Sequence, residues 1–527
     1  MKRKGIVLLL FFSLLCTFFV GCSEKQTDVS SVYAESEHLI VGSASEWGNE
    51  YPDFNESYNF SDVSAPLESY IPSSEINSSE VTKPSSSEKA SSVNFSKVST
   101  SSLVSSDNSS WQTTTDVTTT SSSTSSSDKG SKINYDTVKA VWISYIDFSN
   151  IMTGKNEKTF RTNFETVCKN AVDFGLNTLI CQVRAFGDAA YPSEYFAWSQ
   201  MVSGVGKNPG FDPLEIMIEL AHKYKLSFHA WVNPFRTFLN TQISSVPSDT
   251  VFKKWYNDSS KNGKYVVKVG DRWYYNPGEP EVRELILNGI VEIIENYNVD
   301  GIHFDDYFYP TTDSSFDSAT YSQYANGKTL ANFRRNSVST LVKNVYNAVK
   351  KENSDIIFGI SPQANVDNDM NSQYADVKLW ASTNGYVDYL CPQAYFNYYS
   401  ESISFTEALN TWNKLVTASN VKLVIGIAPY RIGYKYDTWA CSSRDTHTES
   451  TKGCGAYGWR TKDTSSSNIL ARQCTDSLSL KKCNGVFLYS YQYVFDVNGY
   501  FSNKTYYADN AVSQAKTEMQ KLKEALK

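Results

Sequence analysis

The sequence predicts a (β/α)8 TIM barrel over residues 132–527, preceded by an export signal and a disordered Ser/Thr-rich linker. Three observations carry that reading. Eight short apolar strands are each followed by a helical pattern, and such alternation implies parallel strands wrapped by helices. Polar and aromatic residues cluster just after the strands, where the βα loops of a barrel build its site. The length in excess of a minimal barrel falls in loops after strands, chiefly 185–210, 233–275 and 432–466.

Ala140–Tyr145 reads as strand one, and Phe160–Phe174 as a helix with Phe160, Phe164, Val167, Cys168 and Ala171 on one face, closed by Gly175. Thr178–Val183 is strand two, ending in Gln182 and Arg184. Asp212-Pro213-Leu214-Glu215 is a helix start with proline at the first helical position. Strand three is Leu226–Val232, followed by Asn233-Pro234-Phe235-Arg236. A helix opening at Asn276-Pro277-Gly278-Glu279 leads into strand four, within Asn298–Pro310. Helix Phe333–Lys351 and strand five, Ile356–Ile360, come next. Val387–Leu390, Leu423–Ile427 and Val486–Tyr489 are strands six to eight, and a last helix covers Asn510–Leu526.

The net charge of −7 argues against a nucleic-acid partner, which normally needs a basic footprint. Lys2, Arg3 and Lys4 followed by apolar Ile6–Val20 form an export signal, too short for a membrane span. Phe19-Val20-Gly21-Cys22 resembles the bacterial lipoprotein cleavage box. That resemblance implies a signal peptide over 1–21, lipidation of Cys22, and an extracytoplasmic protein held to the membrane by a lipid. Phe19 stands where an aliphatic residue is usual, which leaves plain secretion open. Residues 22–131 are a Ser/Thr-rich tether without apolar periodicity, unable to offset the entropy of ordering. Cys441 with Cys454 is a candidate disulfide of an exported protein, and Cys474 with Cys483 a second.

Strand four carries the chemistry. It ends in adjacent carboxylates, Asp305 and Asp306, followed by Tyr307, Phe308 and Tyr309. Side chains alternate along a strand, so His303 and Asp305 share a face. An acid among aromatics and beside a second carboxylate should hold its proton above the ordinary range, as a general acid must. Asp305 is therefore the expected acid, with Asp306 as second acid or substrate-orienting group. Around them, Gln182, Arg184, Asp188, His229, Trp231, Asn233, Arg236, His303, Gln393, Tyr395, Tyr430 and Arg431 are the expected substrate contacts: amides and arginine for hydroxyl and acetamide groups, aromatic rings for sugar faces. Trp142, Tyr145, Gln363, Asn365, Tyr489 and Tyr491 also fall at strand ends. Glycoside hydrolysis commonly uses two carboxyl groups on separate elements. No second strand-end acid stands out, and catalysis assisted by the substrate's own acetamide would explain that. His229, His303 and Asp305 are the possible metal set, but strand one reads W-I-S-Y without the His-x-His of barrel amidohydrolases, so neither metal nor cofactor is expected.

Gln182-Val183-Arg184 with Gly187-Asp188-Ala189, His229–Pro234, Asp300–Tyr307, Ser361-Pro362, Pro392-Gln393 with Tyr395, and Tyr430-Arg431 occur in one order over residues 138–431. In this they resemble the glycosyl-hydrolase-like 10 family of bacterial lipoproteins. His303-Phe304-Asp305-Asp306 is similar, more distantly, to poly-glucosamine hydrolases. The resemblance implies a barrel hydrolase of the cell envelope, some of whose relatives are linked to peptidoglycan glycan strands, with the acid in the Asp305–Asp306 pair. The sequence reading is thus a glycosidase acting on an N-acetylhexosamine polymer, peptidoglycan first. A non-catalytic glycan-binding lipoprotein on the same scaffold is the alternative.

Overall fold

Strands buried on both faces need apolar residues throughout, and the chain supplies them eight times. The computed structural model describes residues 131–400, 402–435, 458–461 and 464–527. Its strands are β1 (Val138–Ile143), β2 (Thr178–Arg184), β3 (Ser227–Val232), β4 (Gly301–Phe304), β5 (Ile357–Ile360), β6 (Tyr389–Leu390), β7 (Lys422–Ile427) and β8 (Cys483–Leu488). All pair in parallel with their sequence neighbours, and β1 pairs with β8 to close the barrel. The expected signal peptide, Cys22 and the tether up to residue 130 lie outside the described residues, as do Cys441 and Cys454. Cys474 and Cys483 are free thiols rather than a disulfide. Cys474 is buried on a helix, while the Cys483 thiol donates to the Gly485 carbonyl at 3.2 Å.

The helices form where caps and apolar stripes coincide. α1 (Glu157–Phe174) starts at Asn156, whose side chain accepts from the Thr159 amide, and stops at Gly175, which adopts φ 95°. α2 (Pro213–Lys223) is capped by Asp212 with proline in its first turn, and α3 (Pro280–Asn296) likewise begins with proline. α4 (Leu330–Glu352), α5 (Val377–Ser382), α6 (Phe405–Leu415), α7 (Ile469–Leu478) and α8 (Ala511–Ala525) complete the outer layer. Their buried faces pack on the outward side chains of the strands, Val141, Leu179, Val183, Phe228, Ile302 and Phe358 among them.

Alternate side chains of the same strands fill the interior: Ala140, Trp142, Ile180, Trp231, Tyr389, Val424 and Phe487. Two glycines make room for the large ones. A Cβ on Gly359 would fall 2.1 Å from the Tyr389 ring, and one on Gly301 would fall 2.7 Å from the His229 ring. At the N-terminal end of the barrel, buried Asp300 accepts from the Ile133 and Phe228 amides at 2.7 and 2.8 Å and meets His222 Nε2 at 2.8 Å. This pins Ile133, near the start of the described residues, to the floor of the barrel.

One long loop is more structured than its sequence suggested. Residues 233–275 hold a three-stranded antiparallel sheet, Arg236–Leu239, Val266–Val269 and Arg272–Tyr275, with a helix at Val251–Asn257. Strand one also ends earlier than expected. Ser144 caps a short helix, Tyr145–Ile151, in a reciprocal box with Asp147. Among the described residues, no helix is long and apolar enough to cross a membrane.

Candidate active site

A narrow cleft with a cavity volume of about 40 Å³ opens at the C-terminal mouth of the barrel. Both Asp305 and Asp306 line it. β4 stops at Phe304, so the strict in-and-out alternation ends there and the two consecutive acids turn into the same space.

Their surroundings differ. Asp306 Oδ1 accepts from Gln393 Nε2 at 3.0 Å, and its Oδ2 from Gln363 Nε2 at 3.3 Å. Those amides come from the ends of β5 and β6, joined at this level by a parallel bridge between Gln363 and Gln393. Asp305 Oδ1 accepts one backbone N–H, from Tyr307 at 3.3 Å, and its Oδ2 has no partner. Burial, then the Asp306 charge, push Asp305 well above the ordinary carboxylate range. Burial also lifts Asp306, but the Gln393 and Gln363 amides work against it. Asp305 is therefore the carboxyl that keeps its proton, and Asp306 the one fitted to ionise.

A third acid stands behind the pair. Asp369, on the short helix Val366–Asn371, accepts the Gln363 backbone N–H at 3.0 Å and is completely buried. Burial and the Asp306 charge hold its carboxyl well above the usual range. Gln373, oriented to suit its neighbours, donates to the Asp306 carbonyl at 3.0 Å and accepts from Gln363 Nε2 at 3.2 Å. Nothing in the sequence marked either residue, because Asp369 acts across a loop from a helix of six residues and Gln373 from just beyond its end.

Of the expected substrate contacts, Gln182, Trp231, Asn233, Arg236, Gln393 and Tyr395 line the cleft. Gln182 accepts from the Tyr145 amide at 2.9 Å and donates to Asn233 Oδ1 at 3.0 Å, which leaves the Asn233 Nδ2 group without a protein partner. The Trp231 indole N–H is also unpartnered: it faces Asp305 and eases that carboxyl's shift slightly, without ordinary hydrogen-bond geometry. Buried polar atoms are normally satisfied, so unpartnered ones lining a cleft are fitted to a ligand. Trp142, Tyr145, Tyr307 and Tyr489 add aromatic surface.

The other expected contacts lie elsewhere. A bulge between Gln182 and Arg184 turns Arg184 out of the barrel, against Phe196 and Gly289 of α3. Asp188 is buried in its own loop, accepting from the Phe186 amide at 2.9 Å. Tyr430 packs edge-on behind Tyr395, and Arg431 Nε donates to the Tyr430 hydroxyl at 3.1 Å. Asn365 caps the helix at Val366 rather than facing the cleft.

His229 and His303 sit beneath the cleft, one layer deeper than Trp231 and Asp305. The Trp142 indole donates to His303 Nε2 at 3.1 Å. Indole is only a donor, so a neutral His303 carries its proton on Nδ1 and gives it to Tyr389 Oη at 2.7 Å. The Tyr389 hydroxyl proton is then left to face His229 Nδ1 at 3.4 Å. Burial pushes His303 well below its usual range and His229 down to about 4, so both rings are neutral. Among the described residues, no three His, Cys, Asp or Glu side chains are grouped to hold a metal ion.

Fold and site together define a hydrolase-like (β/α)8 barrel with an acid pair at its mouth. The family model described as glycosyl hydrolase-like 10 matches residues 137–440, and the chain belongs to that family. Glycosyl hydrolase YngK of Bacillus subtilis is 33% identical over 326 residues, covering 57% of this chain and 62% of YngK. Glycosyl hydrolase DigH of Escherichia coli K12 is 32% identical over 279 residues, 49% of this chain and 63% of DigH. The chain thus spans less than two thirds of these relatives. Among solved structures, the glycoside hydrolase domain of PgaB from Bordetella bronchiseptica overlaps with a TM-score of 0.41 at 12% identity, over 68% of this chain and 95% of that domain.

Proposed function

We propose that this protein is a glycoside hydrolase that cleaves an N-acetylhexosamine-containing cell-envelope polysaccharide, peptidoglycan glycan strands first among them. The observation that carries the reading is the unlike pair: Asp305 with an unpartnered oxygen and a retained proton, Asp306 with both oxygens held by amides. Pure binding has no need of that division.

In the proposed reaction Asp305 Oδ2 gives its proton to the glycosidic oxygen as the C1–O bond breaks. Asp306 is the only other carboxylate among the described residues lining the cleft, and it sits beside the acid rather than across from it. The substrate's acetamide oxygen then serves as the internal nucleophile at C1, with Asp306 accepting a hydrogen bond from the acetamide N–H. Water opens the resulting ring as Asp305, now ionised, takes its proton. Trp231 and Tyr395 stack on the sugar, and Asn233 and Gln182 meet its hydroxyl groups. Membership of a family whose named relatives are glycosyl hydrolases supports the reaction class.

The test is digestion of purified glycan strands by wild type, Asp305→Asn and Asp306→Asn. Loss of the acid should lower the rate by about 10²–10⁴. Two variants that digest as fast as wild type would sink the assignment, and wild type that binds strands without releasing fragments would establish a binding protein instead. We also propose that lipidation at Cys22 tethers the barrel to the outer face of the membrane. Cys22→Ser should then move the protein from the membrane to the soluble fraction.

A further inference from the structure

Arg236 is a cation with no ion-paired or hydrogen-bonded partner for its side chain among the described residues, although it feels the charges of Asp305 and Asp306 across the cleft. It follows β3 at the cleft wall, with its guanidinium carbon 5.0 Å from the Phe186 ring centre and 4.9 Å from that of Tyr307. Two aromatic faces hold the planar group in place and leave its edge free. Arg236 is half-buried and lines the cleft, yet no hydrogen bond or ion pair from its side chain to another described residue forms. Asp305 and Asp306 share the cleft, but neither comes within ion-pair distance of it.

A second cation reinforces the field. Arg272 stacks on the same Phe186 ring at 4.7 Å and spends its Nη1 on the Thr237 carbonyl. Of the two, Arg236 lines the cleft, with unspent donors toward the substrate space, and Arg272 is buried behind it. Hydroxyl and acetamide groups need no such arrangement, since the Gln182, Asn233 and Trp231 side of the cleft already serves neutral polar atoms. A pre-oriented guanidinium edge suits a planar anion that accepts two parallel N–H bonds.

We infer that Arg236 forms a subsite for a carboxylate carried by a sugar next to the scissile bond, so that the substrate is an acidic glycan: one bearing an ether-linked carboxylic acid or a uronic acid. This rests on the glycosidase reading and narrows it, because a neutral N-acetylhexosamine homopolymer would leave the guanidinium unmatched.

The experiment crosses substrate with variant. Glycan strands with free carboxyl groups are compared with the same strands after conversion of those groups to primary amides. Wild type should prefer the acidic strands by roughly ten- to a hundredfold in kcat/KM, the range of charge-assisted hydrogen bonds, and mostly through KM. Arg236→Gln should remove most of that preference, read as the ratio of kcat/KM on acidic to amidated strands, and Arg236→Lys should restore part of it. Equal cleavage of both strands by wild type, or an equal loss on both in Arg236→Gln, overturns the inference, the latter because Arg236 would then act only on the acid pair. Absence of cleavage on either strand would instead count against the glycosidase reading. In that case binding to Asp305→Asn by calorimetry decides the subsite: tighter binding of acidic than amidated strands supports it, and equal binding overturns it.

Discussion

Gln393 Nε2 donates to Asp306 Oδ1 at 3.0 Å, while Asp305, one residue earlier, receives no side-chain amide. The two acids are adjacent in the chain and both are lifted by burial, and the Gln393 bond is the first of the interactions that hold Asp306 down relative to its neighbour. A hydrogen bond to an ionised group contributes about 1.5–3 kcal/mol, or roughly one to two pH units of pKa. Gln393→Leu should therefore raise the Asp306 pKa and move the acid limb of the pH–rate profile upward by about one unit, with Gln363 still in place. The profile of kcat/KM on glycan strands measures it, and an unmoved acid limb would show that ionised Asp306 is not required.

The barrel itself was legible because parallel strands buried on both faces leave continuous apolar runs, as in Leu179–Cys181 and Leu423–Ile427. The acid pair was legible because it follows such a run directly. Depth was not. Alternation correctly puts His303 on the face of Asp305, but two residues of strand are about 7 Å of depth, enough to bury the ring between Trp142 and Tyr389. Nor was the bulge after Gln182 legible: it reverses the direction of Arg184, and only the pairing with β3 reveals it. Asp188, Tyr430 and Arg431 were drawn to the mouth by their places after strands, whereas each is held by its own loop or turn.

Asp369 tests the electrostatics behind the pair. Its carboxyl is held well above the usual range, so at neutral pH it is a neutral acid whose one hydrogen bond accepts the Gln363 N–H. Asp369→Asn keeps a carbonyl acceptor and should leave rate and stability close to wild type. Asp369→Ala leaves a buried N–H unmatched and should lose about 1–3 kcal/mol in urea unfolding. A loss of more than about tenfold in rate for Asp369→Asn would mean that Asp369 acts as a charge.

His303 anchors the cleft floor through Trp142 rather than through substrate. His303→Phe removes the acceptor for a buried indole N–H and should cost about 1–3 kcal/mol of stability. KM for glycan strands should stay near the wild-type value, provided the assay is run well below the lowered melting temperature. NMR of the wild-type ring should show no titration of His303 between about pH 5 and 8. A raised KM with unchanged stability would place the ring in contact with substrate.

Asp147 makes stability depend on pH in an unfamiliar direction. It bridges β1 and β8 near the cleft, accepting from the Ser144 amide and the Gln492 amide, each at 2.7 Å, and from the Ser490 hydroxyl at 3.2 Å. Burial nevertheless outweighs these bonds and lifts its pKa from 3.8 to about 6. A folded carboxyl that binds its proton more tightly than the unfolded chain stabilises the fold below the unfolded value. That contribution is lost as pH rises through about 6. The gap of about two pH units corresponds to about 3 kcal/mol. Asp147→Asn has nothing to titrate there, although its amide nitrogen would face one of the N–H donors and weaken the fold overall. The difference in unfolding free energy between wild type and Asp147→Asn should therefore grow by about 2 kcal/mol in favour of wild type between pH 7 and pH 4. Urea unfolding at a series of pH values reads this directly. A difference that stays constant across the series would mean that Asp147 ionises normally in the folded protein, its hydrogen bonds offsetting burial.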